Sequence, residues 1–347
     1  MHKLLSNYLT KSEIITTENG FKFNNTLSIT SNAANDIYGL ESLAKFLAGI
    51  IFRVTNIARE DIGNGKFRNE ASLFNSQASI KVEWIDTALI SKIHIGQIVS
   101  PRMSFEPKCT NGLIRISRLV VYEQPTGTIN LFDLIPHGWV KDRDIVKRGA
   151  LLMADLSVAH RLLFNAIFWN HARFERFCKQ PSSMIGHHSE QSGNIKHTVE
   201  VAEEMRGYCV TRSYTNIHLG VLSAFLHDAG KADEYFLNNK GGWYLTERGK
   251  LLGHKTTVVE WIAAAVSKWN IELPQDHYTG LIHIFTAIPN APDWMGLREP
   301  AMHESFLLSI CDRLSGREDL VKHTSIKDGG FGKSHRHLKT AIFQVRG

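Results

Sequence analysis

The sequence predicts a multidomain α+β protein, a five-stranded β-barrel followed by an all-α helical bundle. Three observations predict it. Between Phe46 and Tyr122 short apolar runs alternate with turn residues. From Lys141 onward apolar residues recur at i, i+3 and i+4, the spacing of one helix face. The intervening stretch, 123–135, has neither period and contains Pro125-Thr126-Gly127. The expected boundaries are an N-terminal extension at 1–45, a barrel at 46–125, a linker at 126–140, a helical domain at 141–322 and a basic tail at 323–347.

Composition bounds the function classes. In 347 residues, 43% apolar and 21% charged content is that of a globular protein with room for two cores. Forty Lys and Arg against 34 Asp and Glu leave +6, compatible with a polyanionic partner. Cys109, Cys178, Cys209 and Cys311 form no CxxC pair, which argues against a zinc ribbon or a disulfide framework and fits a reducing compartment. The N-terminus lacks a secretory h-region, and no run approaches the length of a membrane span, so the expected location is cytoplasmic with no membrane partner.

Residues 1 to 40 are polar, rich in Asn, Ser and Thr, and read as an extension with one hairpin. The strands that follow are Gly49 to Ile57, Phe67 to Phe74, Ala78 to Trp84, Ile93 to Met103 and Gly112 to Tyr122. Asp61-Ile62-Gly63-Asn64-Gly65 and Asn75-Ser76 join the first three, and a turn from Glu106-Pro107-Lys108 to Asn111-Gly112 separates the last two. Five strands in about 75 residues match the strand count of an oligonucleotide-binding (OB) barrel. In such a barrel aromatics stack on bases while Lys and Arg track phosphates, and the candidates are Phe52, Arg53, Phe67, Arg68, Lys81, Trp84 and Arg102.

Helices are expected over Asp144 to His160 and Arg161 to Phe177, with a break at Gln180-Pro181-Ser182-Ser183. The chemistry lies beyond it. Leu219, Leu222, Phe225 and Leu226 mark a buried helix that ends in His227-Asp228-Ala229-Gly230-Lys231. A buried His-Asp pair is costly without a compensating partner, and a metal ion is one such partner. His197 lies in the first turn of an earlier helix, and Asp312 interrupts an otherwise apolar one. His197, His227, Asp228 and Asp312 are thus the candidate ligands of one ion, with His254 and His283 as candidates for a second. Lys231 suits a phosphate, His188 a substrate bridge and Arg313 either Asp312 or a phosphate. Gly332-Lys333-Ser334 in the basic tail lacks the glycine spacing and strand of a P-loop.

The order His … His-Asp … Asp resembles the HD-domain superfamily of metal-dependent phosphohydrolases, and most of all its branch of 3′–5′ exoribonucleases, which joins an OB barrel to the HD domain. Three stretches carry the resemblance. They are Pro181-Ser182-Ser183-Met184-Ile185-Gly186-His187-His188 running on to Lys196-His197-Thr198-Val199-Glu200-Val201-Ala202, then Leu226 to Lys231, then Leu245 to His254. Related HD modules occur in relaxase-type proteins of conjugative elements. Two departures stand out. Only Gly193, beside Asn194, matches the branch's glycine pair, and the stretch after His283, Ile284-Phe285-Thr286-Ala287-Ile288-Pro289, lacks its further histidine pair.

The resemblance implies a divalent cofactor, Mn²⁺ ahead of Mg²⁺, Fe²⁺ or Ni²⁺, and the missing histidine pair favours one ion over two. It implies a phosphodiesterase trimming single-stranded RNA or DNA, with Asp228, Lys231 and His254 catalytic. His188, Arg313, Arg53, Lys81 and Trp84 would hold the substrate, and association into a homo-oligomer is left open. Two alternatives remain at this point: a phosphohydrolase acting on nucleotides, and a nucleic-acid-binding component of a mobile-element machine with a weakened HD site.

Overall fold

The computed structural model describes residues 14–17, 20–23, 28–30, 47, 49–87, 93–104, 109–110, 112–184, 186–238, 241–326 and 329–345. Most of the expected 1–45 extension and the turn from Glu106 to Asn111 lie largely outside them. The chain divides into two units, one comprising residues up to Gln124 with Leu131–Gly138, the other Pro125–Asn130 and Trp139 onward.

The first unit is a sheet of short strands β1 (Ile14–Thr17), β2 (Gly20–Phe23), β3 (Ser28–Thr30), β4 (Phe52–Gly63), β5 (Lys66–Asn75), β6 (Ala78–Thr87), β7 (Ile98–Met103), β8 (Cys109–Thr110) and β9 (Leu113–Val121). Its five principal strands run in the order β6-β5-β4-β7-β9, and β9 also pairs parallel with β6, Val82 opposite Ile114. Gly63, Asn64 and Gly65, all at positive φ, make the β4–β5 turn. Along β6 the strand period puts Ala78, Ile80, Val82, Trp84 and Asp86 on the buried face. Ala78, Ile80, Val82 and Trp84 join Phe52, Val54, Leu73, Val99, Ile114 and Ile116 in one core. The strand expected from Ile93 begins only at Ile98, because residues before it turn through Gly96, whose amide bonds Val54 O.

The stretch expected as a linker is not free chain. Leu131–Leu134 is a 3₁₀ turn with Leu131, Phe132 and Leu134 buried, and Leu131–Gly138 belongs to the first unit.

The second unit is helical: α1 (Arg143–Asp155), α2 (Val158–Phe168), α3 (His171–Lys179), α4 (Gly193–Val210), α5 (Ile217–Leu226), α6 (Lys231–Glu234), α7 (Glu247–Leu251), α8 (Gly253–Trp269), α9 (Gln275–Thr286) and α10 (His303–Thr324). Two short hairpins accompany them, Tyr235–Leu237 with Trp243–Leu245 and Gly330–Phe331 with Phe343–Gln344. Three helices, not two, cover 143–179, because Ser157 and Asn170 act as N-caps for α2 and α3. Helix α5 is buried almost all round and packs on α4, with Phe225 5.6 Å from Phe164 in an aromatic core that includes Phe168, Phe174 and Phe177. Among the described residues no helix is long and apolar enough to cross a membrane.

Candidate metal centre

Four elements of the second unit bring the sequence-selected polar groups together. His197 projects from the first turns of α4 and is fully buried. His227 and Asp228 follow directly on α5, so the apolar burial of that helix forces both inside. Asp312 comes from α10, with its side chain 45% exposed. His254 opens α8.

The hydrogen bonds assign the tautomers of the two buried imidazoles. His227 Nδ1 lies 2.7 Å from the Ala224 carbonyl, which only accepts, so Nδ1 carries the proton. Ser315 Oγ donates to Glu200 Oε2 at 2.8 Å, so it accepts from His197 Nδ1 at 3.0 Å. In their neutral forms both rings therefore present a lone pair at Nε2, and the two Nε2 atoms face each other at 3.2 Å. Asp228 Oδ2 is 3.5 Å from His227 Nε2 and 3.6 Å from His197 Nε2. Asp312 Oδ1 is 3.1 Å and 3.9 Å from the Nε2 atoms of His197 and His227.

Acceptors crowded in this way repel unless a cation or a proton sits among them. Protonation of His227 is opposed by burial, which pulls its pKa down against the pull of Asp228 and Asp312. The group His197, His227 and Asp228 has the donor chemistry of a divalent-metal site and can hold such an ion. Burial pushes the Asp312 carboxyl up, while a proton donated from His197 Nε2 and positive charge on His227 would bring it down to about 2; with neutral imidazoles that pull has to come from a cation between them. Asp228 is held well below the usual carboxylate range, burial being outweighed by Lys231 and then the histidines.

Lys231 is committed elsewhere than the sequence suggests. Its Nζ donates to Asp228 Oδ2 at 2.6 Å and to the Ser182 carbonyl at 2.7 Å, with Ser182 Oγ at 3.5 Å. With those bonds made and the side chain 11% exposed, it holds Asp228 in place instead of facing a phosphate. Gly230 follows from the packing: a Cβ there would lie 2.2 Å from the His254 carbonyl oxygen. That close approach brings His254 Nε2 to 3.6 Å from Asp228 Oδ1, while its Nδ1 is 2.9 Å from Glu234 Oε2.

His188 is corrected. Its backbone, at φ 46°, turns the side chain inward to 1% exposure, where Nε2 meets Glu200 at 3.1 Å and Nδ1 meets Asp319 at 3.5 Å. It cannot touch a substrate. Its neighbour His187 does line the open space, a cleft of about 620 Å³ bounded also by Asp312, Arg313, Arg317, His337 and Leu338. Burial, then His197, Lys231 and His188, depress His187 to about 4, so it is neutral at pH 7. Arg313 lines that cleft from the exposed face of α10, its Nε donating to Ser309 O at 2.9 Å.

His283 is not gathered with the other candidate ligands: neither metal-capable group among the described residues includes it, and its Nε2 accepts the Ala301 amide at 2.9 Å. A second acidic group gathers His188, Glu190 and Asp319. Lys196 Nζ already supplies its cation, 3.3 Å from Glu190 Oε1 and 3.8 Å from Asp319 Oδ1.

Within the sheet unit, Arg53 and Trp84 are corrected as substrate contacts. Arg53 is 1% exposed and donates to the Leu134 and Gly96 carbonyls at 2.8 and 2.9 Å. Trp84 is a core residue whose Nε1 lies 3.3 Å from Asp86 Oδ2, and Phe52 is core too. Lys81, Arg68 and Arg102 remain exposed, Arg68 beside Glu60, while Phe67 lies under the Arg59 guanidinium at 4.1 Å.

Glu200, Ser315, Ser182, Glu234 and His187 were not selected from the sequence. The spacing His197 to Glu200 and Asp312 to Ser315, both i to i+3 on a helix, was the available signal. No family model, curated protein or solved structure matches this chain.

Proposed function

We propose that the chain is a metal-dependent phosphohydrolase of the HD type that cleaves phosphodiesters in single-stranded nucleic acid, as a 3′–5′ exonuclease. One observation carries the reading: the Nε2 atoms of His197 and His227 face each other and the carboxylates of Asp228 and Asp312. Those four residues would hold one divalent ion, Mn²⁺ by preference, with His254 flanking it. A bound ion of this kind supplies a Lewis acid for the phosphoryl oxygen and a water of lowered pKa. Lys231 and Ser182 keep Asp228 oriented, and Ser315 does the same for His197. Arg313 stands at the cleft where phosphate charge would lie.

The sheet unit supports an OB-like reading through its strand order and the return pairing of β9 on β6. Its exposed Lys81, Arg68 and Arg102 are the cations left to follow a phosphate backbone.

A second reading, hydrolysis of a nucleotide or another small phosphate ester, is favoured by the burial of Arg53 and Trp84, which removes two contacts from that surface. It is favoured also by a cleft of small-molecule size. Incubation with Mn²⁺ and end-labelled single-stranded RNA, DNA or free nucleotides separates the two. Shortening ladders that vanish in Asp312→Ala support the nuclease. Phosphate release from free nucleotides alone supports the second reading, and no turnover of any substrate overturns both.

A further inference from the structure

We propose that Arg313 and Arg317 of α10, with His337 of the C-terminal tail, form an anion subsite for a phosphate group next to the one being cleaved. The inference deepens the phosphohydrolase reading and rests on it for the identity of the anion.

The two arginines stand one turn apart on α10 and line the same 620 Å³ cleft as Asp312. Neither forms an ion pair with a carboxylate among the described residues, and Arg313 is anchored only through Nε to Ser309 O. Elsewhere in this unit Arg148, Arg176, Arg206 and Arg248 are each paired with an acid, while Arg161, Arg173, Arg212 and Arg298 bond backbone carbonyls. What sets Arg313 and Arg317 apart is that both line the cleft that also holds a candidate metal ligand. A guanidinium matches the geometry of a phosphate better than any other side chain, and two at i, i+4 reach the same anion.

The tail supplies the opposite wall. The basic tail returns over the end of α10, with the Lys333 amide bonded to Thr324 O at 2.8 Å. Leu338 is buried to 5% exposure, while His337 stays exposed on the cleft. Apolar anchoring of one residue thus presents its neighbour to the ligand. Ile310, Leu314 and Leu320 line the same cleft and provide apolar surface for a base or sugar. The ligand class is a nucleotide unit bearing a free or esterified phosphate.

The test is equilibrium dialysis of 5′-AMP, with adenosine as the phosphate-free control, against full-length metal-free protein. AMP should bind tighter than adenosine, and Arg317→Ala should weaken AMP about tenfold while leaving adenosine binding unchanged. Arg317→Lys should restore part of the affinity, and His337→Ala should weaken AMP by a smaller factor. Manganese content after reloading should equal that of wild type in every variant. Wild-type protein that fails to prefer AMP, or Arg317→Ala and Arg313→Ala variants that bind it as wild type does, overturns the subsite. Intact AMP binding with no turnover overturns the enzyme reading alone.

Discussion

His197 and His227 face each other through their Nε2 atoms at 3.2 Å, and each has its proton on the far nitrogen, bonded to Ser315 and to the Ala224 carbonyl. Two lone pairs so close are held in place by everything behind them: the aromatic core under α5, the Ser315–Glu200 bond and the Lys231 clamp on Asp228. The strain of this arrangement is what a cation would relieve.

Ser315 determines the tautomer of His197, so removing it should be felt at the ion. Ser315→Ala is expected to lower Mn²⁺ affinity about ten- to a hundredfold, the usual effect of losing the group behind a ligand. Unfolding with and without Mn²⁺ checks this. The stabilisation added by the metal should shrink, whereas a purely structural role would lower both midpoints equally.

Asp228 has two partners to lose. Asp228→Ala leaves the Lys231 ammonium buried without its carboxylate and should destabilise by about 3–5 kcal/mol. Combining it with Lys231→Met removes the orphaned charge and should recover most of that stability by urea denaturation. Elemental analysis should find neither variant loaded with metal. A double variant that keeps its manganese would contradict the ligand assignment.

The pH dependence follows from histidines kept neutral. His160 is lowered to about 4 by burial, then by His277 and His218. In the unfolded chain it titrates near 6.5, so between those values the unfolded state binds more protons and stability falls as the pH falls. His160 is 2% exposed, and its full contribution is roughly 3 kcal/mol, present above pH 6.5 and lost on descending toward 4. His187, depressed to a similar value, acts in the same direction. Urea midpoints measured from pH 7 to 5 should decline, and a rise across that interval would be inconsistent with two imidazoles kept neutral by the fold.

Gly230→Ala places a methyl against the His254 carbonyl, where the backbone must give way. The expected cost is about 1–3 kcal/mol with reduced metal loading. Calorimetry together with manganese content reads both, and an unaltered variant would show that the α6–α8 approach is slack.

Arg53→Ala should act on the fold of the sheet unit. It strips the Leu134 and Gly96 carbonyls of a charged donor, a loss of about 3 kcal/mol. The folded fraction should bind single-stranded RNA as wild type does. Weakened binding without lost stability would put Arg53 back on the surface.

These outcomes also mark where the sequence was readable. His197, His227 and Asp228 were legible because polar side chains stranded among apolar helix positions need a reason to be inside, and half-exposed Asp312 because it interrupts an apolar helix face beside them. Strand positions were legible from alternation, but alternation does not say what covers the second face. Phe52, Arg53 and Val54 are consecutive and all buried, because the turn at Gly96 and the chain at Leu134 close over Arg53. His188, expected at the substrate, is instead buried with its backbone at φ 46°, and its neighbour His187 lines the cleft, a difference no side-chain pattern reports. The extra helix break at Ser157 escaped because the apolar period runs straight through it, although a serine N-cap was present in the sequence.

The most direct measurement is anomalous scattering at the manganese edge from crystals grown with Mn²⁺. A single peak bounded by His197 Nε2, His227 Nε2 and Asp228, within reach of Asp312, is the expected result. Anomalous density lying elsewhere, or none with the two imidazoles still face to face, would mean that a proton and not a metal holds them together.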